Sequence, residues 1–155
     1  MAAIAAAAVL TTGHVNVTES GGLVITGKIL NHRATPAVLD AAIHNASFRA
    51  VLPDGLPAGT GMRSVLTAGS DVIALEYDLP GAWRRTDHVL YVILANPAAV
   101  NGKFRPPNMQ LQLRAPHPRI ASWRIGAEQI YISSDSLTPI ELARIKAAMQ
   151  KEAGQ

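Results

Sequence analysis

The stretch VLYVILA, residues 89–95, is apolar at every position of an extended chain. Val89, Tyr91 and Ile93 fall on one side, and Leu90, Val92 and Leu94 on the other. Asp87–His88 precedes the run and Asn96–Pro97 ends it, so it is far too short to cross a membrane as a helix. A strand apolar on both sides has to be covered on both sides. The sequence therefore predicts a central strand with a layer packed on each of its faces.

Other segments supply strands to lie beside it. In HVNVTESGGLVITGKIL, Val15 and Val17 alternate with polar residues. Ser20–Gly21–Gly22 permits a tight turn, and a β-branched run returns from Leu23 to Leu30, which is a hairpin signal. MRSVLTAGSDVIALEYDLP predicts two strands turning at Ala68–Gly69–Ser70, and Asn101–Gly102 is a favoured two-residue turn. MQLQLR places Met109, Leu111 and Leu113 inward and Gln110, Gln112 and Arg114 outward, and RIASWRIGAEQIYIS adds one or two strands. PDGLPAGTG, from Pro53 to Gly61, is a loop because its prolines and glycines break both regular structures.

Two segments carry helix signals. Thr138 and Glu141 form a capping-box pattern around Pro139, and Leu142, Ile145 and Met149 fall on one helical face. That face has to dock, on its own domain or on a neighbouring chain. Residues 36–52 read two ways. Thr35–Pro36 resembles a cap and first helical position, with Leu39, Ile43, Ala46 and Ala50 on one face. Read as a strand, Ala42, Ala46, Phe48, Ala50 and Leu52 share a face instead. Asn45 and Ser47 are poor helix formers, which favours a loop or single helical turn followed by a strand. The expected fold is mainly β, a two-sheet sandwich-like domain with a C-terminal α-helix; the alternative is α+β with a helix near 36–50. The expected division is an apolar N-terminal arm at 1–12, a β domain at 13–135 and the helix at 136–155.

The 155 residues contain no cysteine, which removes disulfides, thiolate metal sites and a cysteine nucleophile. Charged residues make up only 16% of the chain, so part of the surface is expected to be covered by a partner. The N-terminal MAAIAAAAVL lacks a basic residue before its short apolar run and reads as an arm or first strand rather than a targeting signal. Asn16 and Asn45 begin glycosylation-type triplets that mean little without such a signal. A cytoplasmic or virion location is expected ahead of a secreted one, with no membrane partner.

Charge is concentrated between Trp83 and Arg124. Arg84, Arg85, Lys103, Arg105, Arg114, Arg119 and Arg124 stand there against the single acid Asp87, in a chain whose net charge is only +3. Phe104 lies between Lys103 and Arg105, Trp123 beside Arg124, and Trp83 beside Arg84. Interleaved cations and aromatics suit single-stranded nucleic acid, while a solvated rim with core tryptophans suits the same residues.

Catalytic patterns are scarce. His14, His32, His44, His88 and His117 form no metal-ligand spacing, and no metal or cofactor is expected. Asp87 and His88 point to opposite faces of a strand. Glu76 and Asp78 share a face and could be a carboxylate pair, or an outward polar surface. The serine-rich SSDS at 133–136 suits a loop before the helix. No catalytic residue is nominated, and an enzyme is the less favoured outcome. The leading expectation is a structural or assembly protein acting through protein–protein contacts, as a homo-oligomer or with partner proteins, for example as a viral capsid or tail component. Its interface residues would include Leu142, Ile145 and Met149. The alternatives are a nucleic-acid-binding β domain using residues 83–124, and a small hydrolase or ligand-binding protein.

Overall fold

The computed structural model describes residues 13–17, 23–80, 89–100, 109–113, 119–134, 137–152 and 154. In chain order these form β1 (Gly13–Val17), β2 (Leu23–Gly27), β3 (Ile29–Arg33), α1 (Pro36–Asn45), β4 (Gly61–Ala68), β5 (Val72–Asp78), β6 (Val89–Ala95), one 3-10 turn (Pro97–Ala99), β7 (Met109–Leu113), β8 (Arg119–Ile125), β9 (Glu128–Ser134) and α2 (Pro139–Glu152). Two antiparallel sheets result. One has the order β1-β2-β7 and the other β3-β4-β5-β6-β9-β8.

β6 takes the central place its sequence demands, between β5 and β9. Leu90, Val92 and Leu94 face the helices, in a core shared with Val65, Leu75 and Ile132. Ile93 and Ala95 face the small sheet, in a second core with Val15, Leu23 and Ile25. The hairpin at Ala68–Gly69–Ser70 forms as expected, and RIASWRIGAEQIYIS folds as two strands turning at Gly126, with positive φ at both glycines. β7 pairs with β2, while the Asn101–Gly102 turn lies outside the described residues.

β2 and β3 are one run of chain that belongs to both sheets. Gly27 marks the change, with φ 137, a region L side chains avoid. At the same corner Gly13 lies against β4 so closely that a Cβ there would overlap the carbonyl oxygen of Ala68.

The reading of 36–52 as a loop or single turn followed by a strand is corrected. The segment is a ten-residue helix and then an extended strap with no strand pairing. The Thr35 hydroxyl accepts from the Val38 N–H at 3.1 Å, so the cap signal holds. Asn45 is the last helical residue. Ser47 lies beyond it, where its N–H donates to the Ser70 carbonyl at 2.8 Å and its hydroxyl to Asp71 at 2.7 Å. The two poor helix formers thus end a helix rather than prevent one. Phe48, Ala50, Val51 and Leu52 still pack on the core, but as a strap.

α2 begins with the expected box. The Glu141 N–H donates to the Thr138 hydroxyl at 3.2 Å, and the Thr138 N–H to the Glu141 carboxylate at 3.1 Å. Its apolar face docks on the chain's own core, where Ile145 and Met149 are both 0% exposed and Leu142 is half-buried against the same cluster. Of the two docking surfaces the sequence left open, the helix takes its own domain. Ile145 and Met149 therefore have no surface left for a neighbouring chain.

Candidate functional site

Among the described residues, β3 has a neighbour in its sheet on one side only, β4. Lys28 and Ala34 bracket their ladder. The Gly69 N–H donates to the Lys28 carbonyl at 3.3 Å, and the Ala34 N–H to the Arg63 carbonyl at 3.0 Å. Antiparallel ladders alternate bonded and non-bonded pairs. Lys28, Leu30, His32 and Ala34 consequently turn their backbone groups to β4, and Ile29, Asn31 and Arg33 turn theirs to the open edge. β7 touches β3, its partner β2 being the same run of chain, but Leu30, Asn31, His32 and Arg33 are all exposed. Leu30 is 49% exposed, one of two large hydrophobic side chains in the open among the described residues.

α1 returns antiparallel to β3 and rests over β4 without burying any residue completely. A cleft of about 290 Å³ is left between them. Its walls are Leu30 and His32 on β3, Thr67 on β4, and Val38, Ala41 and Ala42 on α1. Lys28 and His32 stand on the cleft's side of β3, and Arg33 on the other side. None of these three basic side chains has an ion-pair partner among the described residues. The one carboxylate of α1, Asp40, lies on another flank of the helix, in a separate hollow with Thr35, Leu39 and Met62. The arrangement offers backbone donors and acceptors unpaired among the described residues, an apolar socket and a basic rim. Its signal in the sequence is the change from LVITG to the polar LNHR, which marks a strand leaving the core for an edge.

The residues singled out from the sequence are differently placed. Arg84, Arg85, Lys103, Phe104, Arg105 and Arg114 lie outside the described residues, as do Trp83 and the side chain of Arg119. Arg124 is exposed, and its Nε donates to the Gln129 side chain at 3.1 Å. Trp123 is 7% exposed and belongs to the helix-side core, so it is not a platform for stacking bases. Glu76 and Asp78 do share a face, but Arg63 binds both. It reaches Glu76 at 2.8 Å and forks onto Asp78, and Ser64 adds a hydrogen bond to Glu76 at 3.2 Å. Those hydrogen bonds, led by Asp78, raise the guanidinium pKa. A carboxylate pair held by an arginine is the polar-surface alternative, not a free acid and base.

Glu128 was not anticipated. It is 0% exposed, accepts the Val51 N–H at 2.9 Å through one oxygen, and leaves the other without a partner. Burial pushes its carboxyl up to about 8, opposed by the Val51 hydrogen bond. No cluster of three or more metal-ligating side chains occurs among the described residues. No helix among them is long and apolar enough to cross a membrane. No family model matches the sequence, and neither curated proteins nor solved structures give a significant match.

Proposed function

We propose that this chain is a non-enzymatic assembly domain that joins other protein chains by strand addition at β3. The observation that carries the reading is the open edge itself: four consecutive exposed residues, Leu30 to Arg33, at the end of a six-stranded sheet. Such an edge is a template for another strand; Leu30–Arg33 contains no proline, and its charges, Arg33 with Lys28 before it, guard it against a second copy of itself rather than against every strand. A capsid or tail subunit, whose work is contact with its neighbours, is the setting proposed for it.

The test is a photo-activatable side chain at position 31, on the open edge, compared with the same group at Ala127 on the exposed β8–β9 turn, in cells making the chain. Discrete protein adducts from position 31 but not from 127, mapped by mass spectrometry, are the expected result. Equal labelling at both sites, no adduct at 31, or nucleic acid recovered from 31 would overturn it.

A further inference from the structure

We infer that the cleft between α1 and β3 is a socket for an extended, acidic segment of a partner chain, laid along β3 as an added strand. The inference rests on the assembly reading and specifies the partner's chemistry. Backbone recognition alone is indiscriminate, because any strand can satisfy the outward groups of Ile29, Asn31 and Arg33. Discrimination in strand addition comes from alternate side chains of the guest, which fall on one face at roughly 7 Å intervals. On β3 that face looks towards α1, where Val38, Ala41 and Ala42 form an apolar wall across from Leu30. An aliphatic side chain fits this wall; a charged one would leave water for an apolar surface with no partner.

The charge preference follows from what surrounds the socket. Lys28, His32 and Arg33 are exposed, and among the described residues none of them has an ion-pair partner and no carboxylate lines the cleft. Arg63 is already committed to Glu76 and Asp78, so it neither adds to this rim nor competes for a guest. A guest bearing carboxylates on both sides of its aliphatic stretch meets complementary charge at both ends of β3, Lys28 at one and Arg33 at the other. A basic guest meets repulsion there, which also weighs against self-pairing of two copies through β3. The rim charges act at the surface, so their effect is modest and salt-sensitive.

The probe is a fluorescein-labelled octapeptide with alternating valine and threonine at its centre and two glutamates at each end, so that carboxylates fall on both faces beside Lys28 and Arg33, read by fluorescence anisotropy on the full chain at low salt. Its counterparts carry lysine in place of the four glutamates, or N-methyl groups on alternate backbone nitrogens. The glutamate peptide is expected to bind about tenfold more tightly than the lysine peptide, and Lys28→Glu with Arg33→Glu to invert that order. N-methylation along the bonding edge is expected to abolish binding without any change to the protein. Ala41→Trp fills the socket from an exposed helix position and is expected to abolish binding at an unchanged melting temperature. Equal affinity for the two charge patterns, or binding that survives N-methylation or a folded Ala41→Trp, would overturn the inference. Adducts at position 31 combined with such a failure would leave β3 as the contact edge and remove only the acidic guest.

Discussion

Glu128 sits with one carboxylate oxygen on the Val51 N–H and the other on nothing, both out of water. Its ordinary value of 4.5 is raised to about 8 in the folded chain. Between those values the unfolded chain releases the proton while the folded chain keeps it. Stability from this group is therefore full below about pH 4.5 and falls until about pH 8, where the folded carboxyl also ionises. The loss across that window is on the order of 5 kcal/mol. Glu128→Gln keeps an acceptor for Val51 and cannot ionise. Melting curves at pH 5 and pH 8 should show the wild type weakening relative to Glu128→Gln; parallel behaviour would mean that the carboxyl is ionised in place. The sequence does not announce any of this. Glu128 follows the Gly126 turn and looks like a surface residue, and what buries it is a strap 77 positions earlier.

Between residues and domain stand the two helices, whose legibility differed for a physical reason. The start of α2 is written in local hydrogen bonds, so Thr138, Pro139 and Glu141 declare it without tertiary help. Thr138→Ala should lower stability by about 1 kcal/mol, measured by urea denaturation. Ile145→Asp should cost far more than that, since its carboxylate would enter a fully buried site with no partner. A small effect of Ile145→Asp on the urea midpoint would mean that α2 is not docked. For α1 the same cap signal stood at Thr35, but Asn45 and Ser47 pulled the reading towards strand. The role of Ser47 is set by the β4–β5 turn and by Asn96, whose side-chain amide donates to the Ser47 hydroxyl at 3.1 Å. That contact joins residues distant in sequence, and no local pattern encodes it.

At the scale of the whole molecule, the alternation of side chains and the glycine turns made the two-sheet stack readable, because period and punctuation are local properties. Which strand enters which sheet is not local. LVITGKIL reads as one strand, and only the bend at Gly27 and the fit of Gly13 against Ala68 divide it between two sheets. Gly13→Ala should force that corner apart, costing about 1–3 kcal/mol as overpacking does, and the denaturant midpoint reports it. An unchanged midpoint would show that the corner is loose. The socket was illegible for a related reason, since its walls come from three elements that meet only when α1 folds back over β4. The shared strand also makes β3 and the small sheet a single lever pivoting on Gly27. A chain laid along β3 would damp the breathing of β2 and, through its pairing, of β1 and β7. Amide protons of residues 23–27, which such a guest never touches, would then exchange more slowly with solvent, so that occupancy at the rim is felt as stiffness in the opposite layer.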